Sequence, residues 1–288
     1  MIIANDPKII KKAADNSIDC LKLRKNIPFF IRVLLYFLQK IGIGKTIFCN
    51  YPKSTNDDYI VVFDSGVTIK YLKKLKKMFP QKRIIYWYWN DVKYALPPSK
   101  IPEDIEKWSY SEHDCAAYGL FFNTQVIIAD KKAVSWPILY DVFYVGKDKN
   151  RFEVLKEYEK KIRDLGLEVY FHIVGNKNHS LNGKYMNPVS YEQVQDWIMQ
   201  SRCIFDYYEN ENMGLSLRPL EALYFKKKLI TNNVNIVNYD FYNPSSIFLL
   251  GQRDLGELIQ FVETPVDYRN DCSQYYAFGN WYKRFEKR

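Results

Sequence analysis

Cysteine is sparse in this chain of 288 residues. Its five cysteines, Cys20, Cys49, Cys115, Cys203 and Cys272, are odd in number, widely spaced and form no CxxC pair. A disulfide framework or a zinc ribbon is therefore not the organising principle. Histidine is scarcer, with three residues. His172 and His179 stand apart from any cysteine or acid at ligand spacing, so no metal site is expected. No Asp-x-Asp triplet occurs, and Gly and Pro number only 12 each, which excludes collagen-like and low-complexity architectures. Long hydrophobic runs are also missing. The most apolar stretch, residues 27–43, carries Arg32 and Lys40 and falls short of the ~20 apolar residues of a spanning helix. The first residues, MIIANDPKIIKKAADNS, lack the apolar core and small-residue cleavage site of a secretory signal. A cytoplasmic protein is expected, peripheral at the inner face of the plasma membrane. GIGKT at 42–46 is not a phosphate-binding P-loop, because the position that needs the first glycine is Gln39.

What is present is a large apolar and aromatic content, 47% hydrophobic with 24 Tyr and 18 Phe, enough to fill real cores and line ligand clefts. The net charge of +9 is unevenly placed. Residues 1–140 hold 22 Lys and Arg against 13 Asp and Glu, whereas residues 141–288 hold 20 of each; residues 1–83 alone hold 17 against 6. A field of one sign on one half suits an anionic partner: nucleic acid, a phosphorylated glycan or an anionic membrane surface. The competing reading is a solvated, lysine-rich surface.

From Asp141 onward, apolar runs alternate with stretches of helical spacing. DVFYVG, EVYFHIVG, RCIFDYY, KKLITNN and SSIFLL read as strands; NRFEVLKEYEKKIRDLG, SYEQVQDWIMQS and LSLRPLEALYF read as helices. This alternation predicts βαβ units and a parallel sheet covered on both faces. In the first half TIFCN, DYIVVFDS and RIIYWYWN read as strands, and VTIKYLKKLKKMFP as a basic amphipathic helix. The sequence predicts two α/β domains, 1–137 and 138–270, with a hinge near Trp136 and Pro137, and a helical segment 271–288 that returns to pack on the first domain.

In open parallel sheets ligands bind outside the carboxyl ends of the strands. The residues at such positions in the second half are Gly146 and Lys147, with Arg151 close behind; Gly175 and Asn176; the stretch from Asp206 to Gly214; and Asn232 and Asn233. GLSLRPLEAL, which begins at Gly214 and Leu215, carries the strongest local signal. Ser216 can cap a helix whose first turn tolerates Pro219, and Arg218 and Glu221 lie three residues apart. A capped helix N-terminus and a guanidinium suit a phosphate, while Glu221 suits the hydroxyls of a ribose. Alternatively, Arg218 and Glu221 simply pair on an exposed helix. In the first half Asp64 and Asp91 follow strand runs and are candidates for a catalytic base. Asp64 equally suits a helix cap in DSGV. His113 reads as a helix-surface residue. Trp89 and Asn90 close the alternating run Tyr86-Trp87-Tyr88-Trp89, where aromatic faces can stack on a sugar.

Six segments, VVFDS, RIIYWYWNDV, EKWSYSEHDCAAYGL, DVFYVGKDKNR, GLSLRPLEALYFKKKLITNN and YDFY, together resemble the GT-B glycosyltransferases, in particular small bacterial enzymes of lipopolysaccharide-core and capsule assembly. The resemblance implies an α/β fold of two Rossmann-like domains facing each other across a cleft, the second binding the donor. It implies transfer of a sugar from a nucleotide-sugar to a glycan or glycolipid acceptor, with no metal and no further cofactor. By position Glu221 would hold the donor ribose. With no metal, Lys147, Arg151 or Arg218, Lys147 foremost, would then stabilise the leaving diphosphate together with a helix N-terminus. One departure stands out: many retaining members carry a glutamate eight residues before the ribose-binding one, and that position is Met213. A nucleic-acid partner is not expected on this reading. The alternative is a non-catalytic nucleic-acid-binding protein with a basic and aromatic surface, for which no recognised binding module is visible.

Overall fold

The computed structural model describes residues 1–26, 49–132, 134, 136–176, 184–209, 214–268 and 272–286. The apolar stretch 27–43, GIGKT, His179 and Met213 lie outside the described residues. The chain divides into two compact units, Met1–Ile128 with Ala277–Arg288, and Ala129–Tyr276.

Unit 1 is built on a parallel sheet of β1 (Ile2–Ala4), β2 (Cys20–Lys22), β3 (Tyr59–Phe63), β4 (Arg83–Tyr88), β5 (Glu106–Ser109) and β6 (Phe121–Phe122), in the order β2-β1-β3-β4-β5-β6. All five residues of β3 are buried, as expected of a parallel strand covered on both faces. Helix α1 (Pro7–Asp15) starts at Asp6, whose carboxylate accepts from the Lys8 amide, with Pro7 in the first turn. Helix α2 (Ile69–Met78) buries Tyr71, Leu72 and Leu75 and leaves Lys70, Lys73, Lys74 and Lys77 exposed. Of the expected strand TIFCN, Cys49 is described and forms an isolated antiparallel bridge with Arg24. Helix α3 (Glu112–Tyr118) is capped by Ser111 and ends on Gly119 at φ +64°, a left-handed position that glycine adopts without strain.

Side chains of β4 alternate across the sheet. Tyr86 and Tyr88 join Tyr71, Leu72 and Leu75 on the α2 side. Trp87 turns to the other face, its ring 5.4 Å from Trp281 and 5.6 Å from Phe285. Trp281 lies in the C-terminal helix Phe278–Lys283, is fully buried and donates from Nε1 to the Thr124 carbonyl at 2.9 Å. The three residues Tyr86, Trp87 and Tyr88 are thus core, and Trp89 is only partly buried, 5.6 Å from the Phe63 ring.

Unit 2 has a parallel sheet of β7 (Tyr140–Lys147), β8 (Val169–Val174), β9 (Ser201–Asp206), β10 (Lys228–Thr231) and β11 (Ile247–Leu249), in the order β11-β10-β9-β7-β8. The intervening helices are α4 (Phe152–Asp164), α5 (Tyr191–Met199) and α6 (Leu217–Phe225), followed by α7 (Leu258–Glu263). Helix α4 buries Leu155 and Ile162 against Tyr144, Phe171 and Phe205. Lys228 opens β10 fully buried. Its ammonium donates to the Phe261 and Ser245 carbonyls and to the Thr264 hydroxyl, which supplies the partners a buried cation needs.

In each sheet the strand order reverses at one place. In unit 2 the chain leaves β7 for β8 on one side and β9 for β10 on the other, while β7 and β9 are neighbours. In unit 1 the same relation holds for β1 and β3. At such switch points the connections diverge and leave a crevice at the carboxyl ends of the strands.

Candidate functional site

The loop after β7 is shaped by two packing constraints. A Cβ on Gly146 would stand 2.6 Å from the Tyr144 hydroxyl, so glycine is needed where that ring lies along the strand end. Lys149 and Asn150 then take φ +46° and +65°, turning the chain into α4. Asp148 is buried and accepts from the Phe152 amide at 2.6 Å and the Tyr185 hydroxyl at 2.8 Å. Arg151 donates to the carbonyls of Asp148, Lys147 and Tyr207 and to the Tyr144 hydroxyl. Its guanidinium therefore ties the loop after β7 to the loop after β9. Lys147 is exposed.

At the end of β9, Asp206 is buried. Its carboxylate accepts from Ser216 Oγ at 2.7 Å. Burial pushes the Asp206 carboxyl above its ordinary range, while Ser216 and the cations Arg218 and Arg151 pull it back. Ser216 is the N-cap of α6 and accepts from the Arg218 amide at 3.1 Å; its own amide donates to the Tyr208 hydroxyl at 2.8 Å. Leu215 before it is buried and Gly214 half-buried. Asn232 holds the Tyr208 main chain through two hydrogen bonds of 2.7 and 2.9 Å.

Arg218 and Glu221 form an ion pair, and the Tyr191 hydroxyl donates to Glu221 Oε1 at 2.8 Å. The pair is not on an exposed face, because Glu221 is only 3% accessible. Burial opposes the Arg218 charge, but the facing carboxylates of Glu221 and Asp206 raise its pKa further. Burial also pushes the Tyr144 hydroxyl up to about 12. Gly146, Lys147, Arg151, Gly214, Leu215, Ser216, Arg218 and Glu221 thus gather at the β7/β9 switch point. Gly175 and Asn176 lie at the adjacent end of β8. A Cβ on Gly175 would stand 3.0 Å from the Tyr185 ring, and Asn176 Oδ1 accepts from the Lys149 amide at 3.4 Å. Asp206, which heads the stretch read from the sequence, belongs to the same network. So do Tyr144, Asp148 and Tyr191, which carry no local signal that singles them out.

In unit 1, Asp64 does not cap a helix. Thr68 does, accepting from the Tyr71 amide at 3.2 Å. The Asp64 carboxylate is buried and accepts from the Asn90 amide at 2.9 Å, from Asn90 Nδ2 at 3.1 Å and from Ser65 Oγ at 3.2 Å. Burial raises its pKa, and the Asn90 bonds work against that. Asp91 accepts from the Tyr110 hydroxyl at 2.8 Å. Asp64, Asn90, Asp91 and Trp89 are therefore grouped at the ends of β3 and β4. His113 is exposed on α3 beside Asp114. His172 is buried between the Tyr170 hydroxyl and the Asn187 carbonyl. Among the described residues no His, Cys, Asp or Glu side chains cluster in a group of three or more suited to a metal ion, and no helix is long and apolar enough to cross a membrane.

No family model matches the chain, and no curated protein matches its sequence. Solved structures do match. The DNA-modifying enzyme β-glucosyltransferase, whose substrate is uridine diphosphoglucose, is similar over 91% of this chain and 86% of its own, with a TM-score of 0.50 and 14% identity. Sucrose-phosphate synthase from Thermosynechococcus elongatus is similar over 94% and 82%, with a TM-score of 0.52 and 13% identity. TarM is similar over 88% of this chain and 56% of its own, with a TM-score of 0.50 and 11% identity. At these identities the likeness speaks of architecture, and together with two parallel sheets each layered with helices it places the chain in the GT-B fold.

Proposed function

We propose that the protein is a glycosyltransferase that moves a sugar from a nucleotide-sugar donor to a cell-surface glycan acceptor of the lipopolysaccharide or capsule type. The carrying observation is the β7/β9 switch point, where the capped N-terminus of α6, Lys147 and the buried Arg218–Glu221 pair gather. On this reading Glu221 takes the ribose hydroxyls, exchanging the Tyr191 or Arg218 bond it makes here. Arg218, Lys147 and the first amides of α6 stabilise the charge that develops on the leaving diphosphate. Arg151, occupied by carbonyls, sets the shape of the loop on which Lys147 stands. The reaction then needs no metal, because fixed protein dipoles and cations meet the developing charge.

For an inverting transfer the acceptor hydroxyl must lose a proton, and Asp64 or Asp91 would accept it. Burial raises the Asp64 carboxyl, which strengthens it as a proton acceptor. Membrane contact is part of the same proposal. The exposed Lys70, Lys73, Lys74 and Lys77 lie at helical spacing along one face of α2, which has no acid in its first turn. Cations of this kind near an anionic bilayer are worth about 1 kcal/mol each.

Calorimetry with UDP, GDP, CDP and TDP tests the site. One nucleotide should bind, and Glu221→Gln should weaken it tenfold or more. Binding to none of the four, or an unaffected variant, overturns the reading. Transfer should persist in EDTA; loss in chelator with recovery on manganese overturns the metal-free step.

A further inference from the structure

The switch point of unit 1 has a cation seated across it. Arg24 follows β2, and its amide donates to Asn5 Oδ1, just past β1, at 3.0 Å. Its side chain reaches over the end of β1 to the turn after β3. A Cβ on Gly66 would stand 2.8 Å from one guanidinium nitrogen of Arg24, 3.1 Å from its Nε and 3.1 Å from Asn5 Nδ2. Gly66 also takes φ +83°, a left-handed conformation in which a side chain is strained. Asn5 Nδ2 donates to the Ser65 carbonyl at 2.7 Å and so holds the two strand ends together.

The guanidinium is placed but not engaged. It is exposed and makes no hydrogen bond or ion pair with a described residue. The two carboxylates that flank the crevice are directed elsewhere, Asp6 to the Lys8 amide at 2.8 Å and Asp64 to Asn90 and Ser65. Lys25 adds a second exposed cation next in the chain. A guanidinium whose N–H fork no described residue occupies, beside a glycine whose main chain can be approached closely, matches the geometry of an oxyanion taken up by two parallel hydrogen bonds.

We infer that Arg24, over Gly66 at the β1/β3 switch point, binds a phosphate group carried on the acceptor sugar. The inference rests on the glycosyl-transfer reading for the word acceptor, and on the geometry of unit 1 alone for the anion site. Phosphate is favoured over carboxylate because residues 1–83 carry 17 Lys and Arg against 6 Asp and Glu, and a dianion gains more from such a field.

The test is calorimetric titration of the full chain with glucose 6-phosphate, glucuronate and glucose, each with and without the nucleoside diphosphate that binds. Glucose 6-phosphate should bind, glucuronate at least fivefold more weakly, and glucose not at all. Arg24→Gln should weaken the sugar phosphate tenfold or more, Arg24→Lys less, and both should leave nucleotide affinity unchanged. Sugar-phosphate binding that ignores Arg24→Gln, no sugar-phosphate binding by the wild type, or equal binding of glucose overturns the inference. Tighter glucuronate moves the site to sugar acids and also overturns it as stated. If no nucleotide binds while the Arg24-dependent phosphate site persists, it is the transfer reading that has failed and not this one.

Discussion

The two switch points use polar side chains in opposite ways. In unit 2 the groups at the strand ends are engaged with one another: Asp206 with Ser216, Ser216 with Tyr208, Arg218 with Glu221, Glu221 with Tyr191. In unit 1 each of the two carboxylates has donors of its own, Asp6 the Lys8 amide and Asp64 those of Asn90 and Ser65, and the cation between the strands is exposed. A closed network is preorganised, so a ligand enters by exchanging bonds already aligned. An open cation is selective only for what brings its own charge. The difference is that between a site built around a ligand with many polar groups and one built around a single charged group.

The largest expected effect breaks the first half of this comparison. Arg218→Ala leaves Glu221 buried without its cation and should cost about 3–5 kcal/mol in urea unfolding, whereas Arg24→Ala should stay within about 0.5 kcal/mol. Equal costs would mean that the two switch points do not differ as described. Next, Gly146→Ala forces a methyl group against the Tyr144 hydroxyl and should cost about 1–3 kcal/mol. Tyr144→Phe removes the nearest atom, so the double variant should recover part of that loss, and strict additivity would show that Tyr144 is not the obstacle.

A smaller effect appears in pH dependence. Burial holds the Asp206 and Asp64 carboxyls above their ordinary value of 3.8 in the folded protein. A carboxyl raised in this way contributes stability that is complete below the unfolded pKa and is lost as pH rises through the folded one. Between pH 3.8 and neutrality the wild type should therefore lose stability relative to Asp206→Asn; a parallel pair of unfolding curves across that range would contradict the assignment. The smallest effect concerns α2. Replacing Lys70, Lys73, Lys74 and Lys77 by Gln should change stability by no more than about 0.5 kcal/mol per site, yet remove adsorption to vesicles of anionic lipid at low salt. Unchanged adsorption, or equal adsorption to neutral vesicles, would separate the lysine face from any membrane.

Much of the architecture is legible without coordinates. The runs YIVVF, RIIYWY and VYFHIV are apolar or nearly so over five or six positions, and each is a strand of a parallel sheet. The strands β1 and β2 have only three residues each, and β2 is at most half-buried, so neither displays a period long enough to read. Lys228, whose type belongs on a surface, heads β10 fully buried because carbonyls of Phe261 and Ser245 reach it from later segments.

The candidate site divides along the same line. Ser216 as the cap of α6, Gly146 near the end of β7 and the Arg218–Glu221 spacing are local, and a sequence displays them because they depend on a few consecutive residues. Asp64 shows the opposite case. DSGV reads as a cap, but the donors that claim its carboxylate come from Asn90, 26 residues on, once β3 and β4 pair. Tyr191 meets Glu221 only because α5 and α6 flank the same strands from 30 residues apart. Arg24 lies over Gly66 only because β2, β1 and β3 are neighbours in that order. Strand, helix and cap identity follow from short-range periodicity and donor–acceptor chemistry, which the order of residues determines by itself. Which side chains then meet across elements depends on strand order, and that is decided only when the sheet assembles and buries its two faces.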